Sequence, residues 1–110
     1  MVRIIITKRP GEYKIRSYGH AGGGPAGTDI ICAGVSTLMQ ALCQTLIYAE
    51  EERKTELHYE IMEGRGAKME IYAIPEPRNE DEIRNYFRVA ITGLQMLEEI
   101  YPNNVKIKEE

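Results

Sequence analysis

No window of this sequence approaches the ~18 continuous apolar residues of a membrane span, and its N-terminus alternates and runs into Lys8-Arg9 instead of carrying a secretory apolar core. A cytoplasmic chain with no membrane partner is therefore expected. Cysteine is scarce, with only Cys32 and Cys43, and the sequence has no Cys-x-x-Cys or His-x-x-x-His pair and no Pro-Cys-x-x-Cys of the zinc-deaminase type. On one helix the two thiols would stand about 16 Å apart, well past the ~7 Å between Cα atoms that a disulfide tolerates. The glycines are not followed by a Lys-Ser/Thr pair, which excludes a P-loop. Neither a metal nor a cofactor is expected.

The 110 residues, 43% apolar and 28% charged, have the composition of one globular domain over 1–110. A chain of this size buries roughly 65% of its unfolded surface, one modest core to which a homodimer interface would add. Seventeen acids against fourteen Lys and Arg leave a net charge of −3, which argues against a general grip on nucleic acid. Direct nucleic-acid binding is not expected. Arg3, Lys8, Arg9, Lys14 and Arg16 do gather in the first hairpin, where a solvated face is the plain reading and an acidic or RNA-associated partner the sharper one.

The β-branched run Val2 to Thr7, the turn Pro10-Gly11 and the alternating Tyr13 to Tyr18 predict a β-hairpin, with Tyr13, Ile15 and Ser17 on one side. Glycine is dense from Gly19 to Gly27, which predicts a loop. From Thr28 or Asp29, either a candidate N-cap, the positions Ile31, Val35, Leu38, Leu42, Leu46 and Ala49 recur at helical spacing to about Glu52. Met39, Ala41, Cys43 and Ile47 make this helix apolar nearly all round, so it should lie between a sheet and a second surface such as another subunit. Leu57 to Glu63 and Ala67 to Ile74 flank Gly64-Arg65-Gly66 as a second hairpin. After Pro75-Glu76-Pro77, the pair Asn79 and Glu82 forms a capping pattern for a second helix with the stripe Ile83, Tyr86, Phe87, Ala90, Leu94, Leu97 and Tyr101. Pro102 stops that helix, and Val105 to Lys108 follows as a short edge strand. The order ββαββα with a terminal β predicts an α+β layered fold, one largely antiparallel sheet packed with two helices.

The chemistry concentrates where the first loop meets the first helix. A thiol attacks a carbonyl as thiolate, and both a helix N-terminus and a nearby imidazolium favour that form of Cys32. N-terminal N–H groups could also donate to a developing oxyanion. His20, at the end of the second strand, is the candidate base toward the thiol and acid toward a leaving amine. Asp29 either caps the helix or turns its carboxylate to His20. Ser36, one turn after Cys32, either supports the thiolate or bonds back to a carbonyl. Gly22, Gly23, Gly24 and Gly27 make a candidate substrate loop. Cys43 and His58 read as a core filler and a plain strand residue.

Gly19-His20-Ala21, then Asp29-Ile30-Ile31-Cys32-Ala33-Gly34-Val35-Ser36, then Leu97-Glu98-Glu99-Ile100-Tyr101 with Asn104-Val105-Lys106-Ile107, resemble the ribosomal-processing cysteine proteases (Prp) over nearly the whole chain. The resemblance implies a homodimeric cysteine endopeptidase with Cys32 as nucleophile, His20 as base and Asp29 as orienting acid. It implies as substrate the N-terminal extension of a large-subunit ribosomal protein, removed after an aromatic pair. Ile31, where the family usually has valine, and the Gly-rich segment 22–26 depart from the pattern. Two other readings stand beside it: the same kind of protease acting on a phage capsid or scaffold protein, and a non-catalytic anion-binding or RNA-associated module.

Overall fold

In the computed structural model, which describes residues 1–19, 26–62 and 67–110 (26–29 by backbone alone), hydrophobic alternation becomes one mixed sheet and helical spacing becomes two helices. The elements in order are β1 (Val2–Arg9), β2 (Glu12–Tyr18), α1 (Ala26–Glu51), β3 (Thr55–Met62), β4 (Lys68–Pro75), a 3-10 turn (Pro77–Asn79), α2 (Glu80–Ile100) and β5 (Val105–Glu109). The expected ββαββαβ order and α+β class hold. The segment expected to carry the second turn, 63–66, lies outside the described residues.

The strands are ordered β3-β4-β2-β1-β5. All neighbours are antiparallel except β5, which runs parallel to β1 with Val2 opposite Val105 and Ile4 opposite Ile107. Period-two alternation sends one side of every strand into a common core: Val2, Ile4 and Ile6 from β1, Tyr13 and Ile15 from β2, Met69, Ile71 and Ala73 from β4, and Val105 from β5. Both helices cover that face. From α1 come Ile31, Val35, Met39, Leu42, Cys43, Leu46 and Ala49, and from α2 Ile83, Phe87, Ala90, Ile91 and Leu94. Leu38, Tyr86, Leu97 and Tyr101, which spacing assigned to the buried stripes, are half-buried at the helix pair's outer edge.

Three expectations change. The first helix begins at Ala26, so Thr28 and Asp29 lie within it and neither is the N-cap, and Gly27 belongs to the helix rather than the loop. Asn79 is the N-cap residue of α2, but its side chain makes no capping bond. Glu82 does not reach back to complete a capping box; its carboxylate accepts from the Tyr86 hydroxyl at 2.6 Å and the Lys54 ammonium at 3.0 Å. Those two donors, Tyr86 first, hold Glu82 below the usual carboxylate range. Finally, Ile30–Glu51 is long and apolar enough to cross a membrane by length and composition, which counting unbroken apolar runs overlooks. One stripe of it, Ile31, Val35, Met39, Leu42, Cys43, Leu46 and Ala49, is buried in the protein core.

The helices approach each other closely. A Cβ built at Gly93 would stand 2.7 Å from the Leu38 side chain, and one at Gly34 3.2 Å from Leu97. Each leucine thus covers the other helix's glycine.

Candidate active site

Cys32 sits in the second turn of α1, its side chain half-buried, and opens onto a cleft of about 310 Å³ at one end of the sheet. One wall is α1, which presents Cys32, Ser36 and Gln40 at successive steps of four residues and so on one helical face. The opposite wall is the end of the β3–β4 hairpin, with Ile61, Met62, Lys68 and Met69. Val2, Ser17 and Gly19 form the floor and rim. The antiparallel order brings the start of β1, the ends of β2 and β3 and the start of β4 to the same side, where the first turns of α1 also lie.

Placement within α1 alters the electrostatic argument for Cys32. As the seventh residue of the helix its own N–H is positioned for an intrahelical bond, and the macrodipole falls off within the first turn. The N–H groups that an α-helix leaves without intrahelical partners are those of its first turn, here 26–29. Any help to a thiolate or oxyanion from the helix end must come from there and not from the Cys32 amide.

The two cysteines have separate fates. Cys43 is 3% exposed in the core, and burial pushes its thiol up. A thiol held neutral and enclosed cannot meet a substrate, whereas Cys32 lines the cleft. Neither forms a disulfide. Among the described residues no group of three or more His, Cys, Asp and Glu is gathered for a metal.

Ser36 lines the cleft, and its hydroxyl accepts from Gln40 Nε2 at 3.2 Å. Gln40 therefore stands behind Ser36 on the cysteine face, a role the sequence reading missed although its spacing of eight residues from Cys32 was legible. Asp29 is the fourth residue of α1 and three before Cys32, so the two positions are neighbours on the helix surface. His20, Gly22, Gly23 and Gly24 lie outside the described residues. His58 is an exposed strand residue whose Nε2 is 2.7 Å from Glu56 Oε2.

The residue just before His20 is tightly specified. Gly19 has φ +86, donates its N–H to the Ala67 carbonyl at 2.9 Å, and would place a Cβ 2.7 Å from the Met1 carbonyl oxygen. Left-handed backbone and close approach to another main chain each require glycine at this position. Gly19→Ala is expected to destabilise the fold by about 1–3 kcal/mol and, with His20 as the expected base, to lower turnover by roughly a hundredfold, because the chain leading into that residue must shift. Thermal melting read alongside single-turnover kinetics checks both, and an unchanged Tm with unchanged rate would show that the rim yields easily.

The family profile described as Cysteine protease Prp matches residues 1–106. A curated relative, the ribosomal processing cysteine protease Prp of Staphylococcus aureus, is 29% identical over 89 residues, which cover 81% of this chain and 78% of that protein. Among solved structures, a protein of Streptococcus mutans superposes with a TM-score of 0.79 at 28% identity, covering 99% of this chain and 93% of its own. An essential ribosomal processing protease of S. aureus, solved with a substrate peptide, superposes with a TM-score of 0.74 at 25% identity over 100% of both chains.

Proposed function

The chain belongs to the Prp family of cysteine proteases, and from that premise we propose that it removes a short N-terminal extension from a large-subunit ribosomal protein in the cytoplasm. The observation that carries this reading is the cleft, which sets the accessible thiol of Cys32 against the rim residue Gly19 that leads directly into His20. His20 takes the thiol proton as Cys32 Sγ adds to the scissile carbonyl. The tetrahedral adduct collapses to a thioester, the amine leaves with the proton from His20, and water, deprotonated by His20, hydrolyses the thioester. The name and the bound peptide of the S. aureus relatives support a ribosomal substrate over a phage protein or a non-catalytic module. Incubation with the host's full-length ribosomal protein, with the new N-terminus located by mass spectrometry, tests the activity and the cut together. No new N-terminus on that substrate, with cleavage of a phage capsid or scaffold protein, would reassign it.

Asp29 enters this mechanism as the orienting acid, a reading supported by its position on α1 three residues before Cys32. Asp29→Asn should therefore lower kcat by about 10–10³-fold, the aspartate no longer favouring the productive His20 tautomer, with little change in melting temperature. A normal rate would leave Asp29 without a catalytic role.

The reading includes a homodimer. The outer face of the helix pair exposes Ile30, Val89, Met96 and Ile100, and an apolar groove between α1 and α2 joins Leu38 and Leu97 to it. A second copy covering this face would bury the side of α1 that the sheet does not. Sedimentation of Met96→Glu should shift toward the monomer, while the wild type runs as a dimer.

A further inference from the structure

The β3 edge carries a feature that the chemistry above does not use. Leu57 donates its N–H to Glu50 Oε2 at 2.8 Å, so the main-chain groups of Leu57 point away from β4. The rest of the sheet agrees with this phase: Val2 donates toward β5, Gly19 donates toward β4, and Ile6 accepts from Glu110. In an antiparallel ladder the outward groups recur at every second residue, which places the N–H and C=O of Tyr59 and Ile61 on the open edge as well. Natural edge strands are usually blunted. Here the Glu50 carboxylate blunts only the half of β3 away from the cleft.

The side chains of the same two residues lie on the face that the helix layer covers elsewhere, yet both stay exposed. Tyr59 is 52% and Ile61 42% exposed, although Leu57, two residues earlier on that face, is 8%. Ile61 also lines the Cys32 cleft. Open main-chain groups and uncovered apolar side chains thus coincide over one short stretch that runs into the site.

We propose that the distal half of β3 recruits the substrate by strand addition: an extended segment pairs with the outward main chain of Tyr59 and Ile61 and lays apolar side chains, at alternate positions, against these two residues. This mode supplies affinity through main-chain bonds and selectivity through alternate side chains. It rests on the proteolytic reading and adds to it how the polypeptide is held. Continuity with the cleft favours the substrate as occupant over a second copy of the chain.

The test uses peptides from the N-terminus of the host ribosomal protein, each N-methylated at a single backbone nitrogen. Strand addition predicts that kcat/KM falls at every second position on one side of the cut and is spared between. Ile61→Asp should raise KM roughly tenfold with kcat near wild type, and Ile61→Leu should restore it. A methylation series without a two-residue period, or a normal KM for Ile61→Asp, overturns the proposal. So does a changed sedimentation coefficient for Ile61→Asp, which would assign the edge to a second copy. Should the wild type cleave none of the peptides, the ribosomal-substrate reading fails on its own. Strand docking is then decided by anisotropy of the labelled peptides on the Cys32→Ala chain, where a two-residue period supports it and a flat series overturns it.

Discussion

Cys32→Ala is expected to abolish cleavage, with turnover lower by on the order of 10⁴-fold or more, while the protein stays folded. The large kinetic effect follows from chemistry, since no other thiol can form the thioester. Cys43, eleven residues along the same helix, is enclosed in the core and its thiol is pushed up by burial. The small structural effect follows from position. Cys32 borders an open cleft, so trimming its sulfur leaves no sealed cavity of the kind that makes core truncations costly. The measurement is processing of the extended ribosomal protein beside a thermal melt. Retained cleavage with an unchanged melt would sink the nucleophile assignment.

His20→Ala should cost nearly as much, about 10³–10⁴-fold in kcat, because in the proposed mechanism one imidazole both removes the thiol proton and delivers a proton to the leaving amine. Residues that act as one unit are not additive. The double variant Cys32→Ala/His20→Ala should therefore be no slower than Cys32→Ala alone. A pH profile separates a base from a merely structural residue: replacing His20 should remove one limb of the wild-type dependence of kcat/KM. An unaltered profile with a lower rate would move the base elsewhere.

Much of the molecule was legible before any coordinates. Alternation in Tyr13, Ile15 and Ser17 named the inward side of β2, and all three are buried. The helical spacing of Ile31, Val35, Leu42, Leu46 and Ala49 identified the core stripe of α1. These patterns are local, since side chains repeat every 2.0 residues in a strand and every 3.6 in a helix whatever else the chain does. The misses are of another kind. Capping chemistry favours Thr and Asp and so points to a start of α1 at Thr28 or Asp29, yet the helix extends through Gly27 to Ala26. Asn79 and Glu82 have the right spacing for a capping box, but Lys54 and Tyr86 offer Glu82 stronger partners. Lys54 lies 28 residues away, and no window of sequence shows that contact.

The candidate site divides along the same line. Cys32, its neighbour Asp29 and the helix that carries them could be read from the order of residues, because helical periodicity places positions three and four apart on one surface. Tertiary structure alone placed Ile61, Met62 and Met69 opposite Cys32, set β5 parallel to β1, and put Gly19 against the Met1 carbonyl. Each of these joins segments that are distant in sequence. Which strands pair is decided by burial of a shared face over the whole sheet, a sum of contacts that no local pattern contains.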